Sequence, residues 1–282
     1  MTTGDRTRPL TGPRKGRNLT HMRLREKVAV VTGASGGLGG GICGAFAREG
    51  ADCLVAYYKN REGAEATAAA VCELGRRAEI FQVDVADEGQ VRAMIQAALD
   101  AFGRLDIAVA NAGIGVRVPF MQSTPEQFDQ VVATNLRGAY LTLRYAAEPM
   151  VKAGGGKLIT ISSIHGLGGS HLFSLYAATK AGIIGLTRGT AFDLADDNIQ
   201  VNCVAPGAVP VARDGEFDHN SPTARAWYDH TPMNRMGRLS DVAAGAVYLA
   251  SSDSDWVTGQ VLAIDGGASA GRSIPNMRSF SS

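Results

Sequence analysis

No stretch of 18 consecutive apolar residues occurs in the 282-residue chain, so no membrane-spanning helix is expected. The first residues lack the apolar core of a secretory signal. Cysteine is scarce. The four present (Cys43, Cys53, Cys72 and Cys203) have neither C-x-x-C nor metal-ligand spacing, which excludes a disulfide frame and a zinc site and points to reduced thiols in the cytoplasm. No other metal site is expected. Net charge is also small, at +1, but unevenly spread: residues 1–27 hold eight basic side chains against Asp5 and Glu26, a local +6 that leaves the remaining body at −5. A mildly acidic body excludes nucleic acid as the main ligand. Gly, Pro and Thr interleave with the basic residues up to position 22, so 1–22 reads as a solvated tail, with Met22 as an alternative start.

What is present is a regular alternation. Short, β-branched apolar runs at Val28–Thr32, Cys53–Tyr57, Ala78–Val83, Ile107–Ala110, Lys157–Ile161, Gln200–Val204 and Val261–Ile264 are separated by stretches of helical length, such as Glu88–Phe102 and Ser240–Leu249, the latter with Ser240 as N-cap. Continuous apolar runs suit strands covered on both faces. Strand–helix repetition requires a parallel sheet, so the expected fold is α/β: one doubly wound, Rossmann-type domain over 23–270 with a seven-stranded parallel sheet flanked by helices. Residues 271–282 read as a C-terminal tail.

The first strand runs directly into Thr32-Gly33-Ala34-Ser35-Gly36-Gly37-Leu38-Gly39, followed by a helical stretch from Gly41 to Glu49. Six glycines in the nine residues 33–41 would weaken a helix start without compensation unless the bare backbone has a ligand. Such a turn lets N–H groups approach a pyrophosphate at the positive end of a helix. The second strand ends in Tyr57-Tyr58-Lys59-Asn60-Arg61, with no acid before Glu62. A carboxylate there would bond a ribose 2′-hydroxyl, whereas Lys59 and Arg61 suit a 2′-phosphate, so NADP(H) is expected over NAD(H). The alternative is two solvated charges at a helix start.

With the spacing Thr-Gly-x-x-x-Gly-x-Gly, and with Asp84 after the third strand, Asn111-Ala112-Gly113 after the fourth, Ser163 after the fifth, Tyr176-Ala177-Ala178-Thr179-Lys180 and Pro206-Gly207 after the sixth, the body resembles the short-chain dehydrogenase/reductase family along nearly its whole length. That resemblance implies cofactor contacts from Gly33, Ser35, Gly37, Leu38, Gly39, Tyr58, Lys59, Asp84, Val85, Asn111, Ala112, Gly113, Pro206, Gly207 and Val209, as well as Tyr176 and Lys180. It implies a catalytic set of Asn135, Ser163, Tyr176 and Lys180 acting on a small-molecule carbonyl or alcohol. The chemistry suits these types. Hydride transfer to a ketone leaves an alkoxide that needs a proton, a free phenol titrates near ~10, and a cation at i+4 lowers that value. Ser163 would bond the carbonyl oxygen. Asn135 shares a stripe with Val131 and Val132 and reads as a structural polar link or as a water-holding fourth member. Ser162 reads as a turn residue. Val211 stands where the family often has Thr, so the anchoring of the nicotinamide carboxamide departs from the pattern.

Residues 208–238 form a long insertion rich in aromatics (Phe217, His219, Trp227, Tyr228, His230), read as a cover over substrate, with His165 and His171 near its pocket. Gly182, Gly185 and Gly189 make a small-residue face on the Tyr176 helix. With the family's habit of pairing here, this implies a homotetramer, or a homodimer. The competing readings are an NAD(H)-dependent sugar or alcohol dehydrogenase, a non-catalytic dinucleotide sensor, and an epimerase that would need a larger C-terminal domain.

Overall fold

A computed structural model describes residues 22–210, 218 and 220–271. The expectations for 1–21, for Val211, Phe217 and His219, and for the tail beyond 271 lie outside the described residues.

Seven parallel strands, β1 (Val28–Val31), β2 (Asp52–Tyr57), β3 (Ala78–Gln82), β4 (Ile107–Ala110), β5 (Gly156–Ile161), β6 (Ile199–Pro206) and β7 (Val261–Ile264), pair in the order β3-β2-β1-β4-β5-β6-β7. Successive side chains of β1 enter opposite layers: Ala29 and Val31 join one apolar cluster, Val30 the other. The first layer is built on α1 (Gly37–Arg48), α2 (Arg61–Glu73) and the helix Leu239–Ala250. The second is built on α3 (Glu88–Phe102) and the helices Gly138–Ala153 and Ser174–Asp193.

Four further elements shape the cleft. Helix α4 (Pro125–Val131) continues through a π-helical turn, Val132–Arg137, into α5 (Gly138–Ala153). A single-turn α6 (Ile164–Leu167) precedes α7 (Ser174–Asp193), and α8 (Pro222–His230) precedes α9 (Leu239–Ala250). The insertion expected at 208–238 is therefore partly helical. Ser221 caps α8, its hydroxyl accepting from Ala224 N at 3.2 Å, and Pro222 occupies the first turn, where its missing N–H costs nothing. Ser240 is not the N-cap of α9. It lies inside the first turn, and the Asp241 carboxylate reaches back from the third helical position to accept from the N-cap N–H of Arg238 at 2.8 Å. Helix α1 starts at Gly37, four residues before the expected Gly41, because Gly36 and Gly37 take up the turn with φ of 137° and 53°.

Chain direction across the sheet reverses between β1 and β4. In an open parallel sheet, the segments leaving the carboxyl ends of two such strands diverge and leave a crevice. The glycine-rich turn leaves β1 and Asn111 leaves β4, so the crevice opens between them.

Candidate active site

The turn after β1 is pinned to the end of β4 by polar contacts. Thr32 Oγ1 accepts from the backbone N–H groups of Asn111 and Ala112, each at 3.0 Å. The Asn111 amide donates to the carbonyls of Thr32 at 2.8 Å and Gly33 at 3.1 Å. The backbones approach so closely that a Cβ on Gly39 would stand 2.5 Å from the Gly33 carbonyl oxygen and 2.7 Å from Asn111 Nδ2. Beyond this contact the turn faces open space: a Cβ on Gly36 would meet nothing within 4 Å. No side chain caps α1 and its first turn contains no acid. Its leading N–H groups are thus donors at a positive helix end, set on an open concave surface, and this fits a pyrophosphate.

Asn60 links this turn to the end of β2. Its Oδ1 accepts from Gly63 N at 2.9 Å, capping α2, and its Nδ2 donates to the Ser35 carbonyl at 3.4 Å. Arg61 is committed to Glu65 at 2.8 Å. Lys59 is exposed, lies 5.1 Å from the centroid of the Tyr58 ring, and makes no ion pair with a described residue. Asp84 sits half-buried past β3, its Oδ1 accepting from Ala86 N at 2.9 Å, with Val85 buried beside it. Pro206 ends β6 beside Ile264, and Gly207 N donates to the Ile264 carbonyl at 3.0 Å. Val209 packs on the α1-side core.

On the other side of the crevice, α7 carries Tyr176 and Lys180 one turn apart. Lys180 is 3% exposed, and its Nζ donates to the Ile161 carbonyl at 2.7 Å and lies 5.4 Å from the centroid of the Tyr176 ring. Burial lowers the ammonium's pKa to about 8. Ser163 follows β5 as the N-cap of α6. Its Oγ accepts from His165 N at 3.2 Å, so its own hydroxyl proton is left to donate elsewhere. Ser162 makes more than a turn: its buried hydroxyl donates to the backbone carbonyl of Lys180 at 2.8 Å.

Asn135 is fully buried and lies in the π-helical turn rather than in a regular α-helix. Its Oδ1 accepts from Ile114 N at 2.8 Å, and its Nδ2 donates to the Ile114 carbonyl at 2.9 Å and to Thr179 Oγ1 at 3.1 Å. Thr179 passes this on to the Tyr176 carbonyl at 2.8 Å. A Cβ on Gly113 would stand 3.2 Å from Asn135 Oδ1 and 3.6 Å from Lys180 Nζ, which puts the three at one place. The structural-link reading of Asn135 is thereby met.

Beyond Tyr176 the aromatics gather. His165 stacks on Phe173 with centroids 4.9 Å apart and meets Tyr176 edge-on at 6.2 Å and Trp227 at 6.3 Å. His171, in contrast, is exposed. Among the described residues no cluster of His, Cys, Asp or Glu is placed to hold a metal ion, and no helix is long and apolar enough to cross a membrane. All four cysteines are free.

The fold and site define a dinucleotide-dependent oxidoreductase class, and comparisons with known proteins agree. The family described as enoyl-(acyl carrier protein) reductase matches residues 33–269. The 3-oxoacyl-(acyl-carrier-protein) reductase FabG of Chlamydia trachomatis is 37% identical over 245 residues, covering 86% of this chain and 98% of that protein. The 3beta-hydroxysteroid dehydrogenase 1 of Eggerthella lenta is 38% identical over 246 residues, covering 86% and 94%. The crystal structure of levodione reductase superposes with a TM-score of 0.83 at 34% identity, covering 88% of this chain and 99% of that one. The chain belongs to the short-chain dehydrogenase/reductase family, NAD(P)-dependent oxidoreductases acting on CH–OH and C=O groups.

Proposed function

We propose that this protein is an NADP(H)-dependent carbonyl reductase and alcohol dehydrogenase in which Tyr176 exchanges a proton with the substrate oxygen. The observation that carries this reading is the buried Lys180 ammonium, 5.4 Å from the Tyr176 ring, on the crevice that also holds the uncapped start of α1. When bound, the nicotinamide supplies or accepts the hydride. Gly33, Ser35, Gly37, Leu38 and Gly39 would hold the pyrophosphate, Asp84 and Val85 the adenine, and Asn111, Ala112, Gly113, Pro206, Gly207 and Val209 the nicotinamide side.

The chain's own residues handle the proton. Tyr176 donates to the oxygen as alkoxide charge develops, or accepts from an alcohol in the opposite direction. Lys180 stabilises the phenolate by its charge, and the Ile161 carbonyl fixes where that charge stands. Ser163 donates to the substrate oxygen and orients it toward the phenol. Asn135 holds Ile114 and Thr179 in place and, as the fourth member of the set, would hold the water that connects to Lys180.

NADP(H) is favoured because no carboxylate follows β2 before Glu62, while Lys59 is unpaired among the described residues and Arg61 is already shared with Glu65. The four free thiols support a reducing, cytoplasmic setting. A homotetramer is part of the same reading, with Gly185 and Gly189 open on the exposed face of α7. Gly182 differs from them, since Leu136 already packs over it. Sedimentation velocity tests the assembly.

The deciding experiment follows the absorbance of reduced nicotinamide with a panel of ketones, both cofactors, and the Tyr176→Phe variant. Turnover by the native protein, retained cofactor binding in the variant and a loss of turnover of about 10²–10⁴-fold support the reading. Unchanged turnover in Tyr176→Phe overturns it.

A further inference from the structure

A cavity of about 800 Å³ adjoins the candidate catalytic residues. Ile164 and His165, the two residues after Ser163, line it together with Trp227 and His230 of α8. Arg117 lines it as well. The volume is far beyond what a short-chain ketone fills.

Two features of the wall select chemistry. The first is aromatic. Besides its contact with Trp227, the His165 ring is held by stacking on Phe173, and Trp227 meets His230 edge-on at 6.2 Å. Burial first, and the neighbouring His230 second, lower the pKa of His165, so near neutral pH it presents a neutral, flat ring. Such a wall favours a planar ring over a flexible chain, because rigid rings lose little freedom on binding and offer a face for offset or edge contacts.

The second is charge. Arg117 is the permanently ionised side chain among the described lining residues, and no described lining residue is a carboxylate. Arg117 is also held in place. Its guanidinium carbon lies 5.5 Å from the Phe173 ring centroid, and the next residue, Val118, donates its N–H to the Leu172 carbonyl at 3.0 Å. Leu172 has φ of +68°, a left-handed conformation that is unfavourable for a non-glycine residue. Its carbonyl joins the Arg117 segment to the chain at Phe173, the ring on which His165 stacks.

From these features we infer that the substrate is a ring ketone, or the corresponding ring alcohol, that carries an anionic group. The ring lies against His165 and Trp227 and the anion meets Arg117. This inference rests on the oxidoreductase reading above, because it takes the carbonyl to face Ser163 and Tyr176.

The test compares three probes in the full-length protein: 2-tetralone, a carboxylated tetralone and 2-butanone. Activity is read as kcat/KM with NADPH. Binding is read independently by quenching of Trp227 fluorescence in a Trp256→Phe background, since Trp256 is 100% exposed and is not among the described lining residues of the cavity. The carboxylated ring should exceed the neutral ring by roughly tenfold in both readouts, as for a charge-assisted pair, and 2-butanone should be the poorest. Arg117→Gln should bring the carboxylated-to-neutral ratio close to one, and Arg117→Lys should restore part of it. Equal or better use of the neutral ring, or of 2-butanone, by the native protein overturns the substrate class even though turnover is present. Arg117-dependent quenching by the carboxylated ring without turnover of any ketone upholds the binding chemistry and overturns the oxidoreductase reading instead. Absence of both turnover and quenching overturns the inference.

Discussion

Ser162 donates its hydroxyl to the backbone carbonyl of Lys180 at 2.8 Å while Lys180 returns its ammonium to the carbonyl of the residue before Ser162. The end of β5 and the second turn of α7 are thus tied twice, over a span that carries both Ser163 and Tyr176. Ser162→Ala removes one tie from a buried site and should cost about 1–3 kcal/mol, a fall of a few degrees in melting temperature. It should also lower kcat more than it raises KM, because the tie positions Lys180 rather than the substrate. Thermal melts and steady-state kinetics on the same preparation check this, and an unchanged kcat removes the positioning role.

Burial of Lys180 has a pH signature. Its folded-state pKa of about 8 lies below the ordinary 10.5, so between these values the unfolded chain binds more protons than the folded one. The cost of burying the charge is fully present below pH 8 and is relieved as pH rises toward 10.5. Lys180→Met carries no such cost. Its stability advantage over the native protein should therefore shrink by about 3 kcal/mol between pH 7 and pH 10.5. Urea unfolding at both pH values measures it, and a pH-independent difference contradicts the assignment.

Gly39→Ala should abolish cofactor binding. Its Cβ would stand 2.5 Å from the Gly33 carbonyl and 2.7 Å from Asn111 Nδ2, both part of the pinned turn. Overpacking at such a site costs about 1–3 kcal/mol, so the protein should still fold. Circular dichroism and NADPH fluorescence titration separate the two effects.

Lys59→Glu places a carboxylate just after β2. The ratio of kcat/KM for NADPH over NADH should fall by about tenfold or more, through repulsion of a 2′-phosphate and a new partner for a 2′-hydroxyl. A native protein that already prefers NADH overturns the NADP(H) reading without a variant.

Thiol reactivity gives a last check. Cys43, Cys53 and Cys203 are buried and Cys72 is exposed. One thiol should react rapidly with Ellman's reagent in the native protein and four in denaturant.

Much of this was legible in the sequence, for identifiable reasons. β4 begins and ends where expected, because a strand covered on both faces is written as an unbroken apolar run bounded by polar residues, and β7, a half-buried edge strand, matches because its apolar run lies between Gln260 and Asp265. The glycine turn was legible because its composition has no purpose without close backbone approach. β6 extends two residues past the expected Val204, because Ala205 and Pro206 still pair with β7, and Pro206 lies at the strand end where a missing N–H is tolerated. The aromatic residues of the cavity could be picked out singly, but their joint wall could not: His165, Phe173 and Trp227 come from three segments separated by up to 62 positions. The bond from Ser162 to Lys180 had no local signal either, since a hydroxyl beside the expected catalytic serine looks the same whether it caps a turn or holds a helix.

The π-helical turn at 132–137 takes more residues per turn than the helices on either side of it, and it delivers one inward amide, that of Asn135. Loss of a single residue there would return the turn to the tighter α pitch, with the flanking segments kept in register, and would take away the extra backbone that turns Asn135 inward. Insertions and deletions, which loops absorb freely, are therefore closed to this stretch. Its length is held by the demand of one side chain, so drift in this part of the chain is confined to substitution.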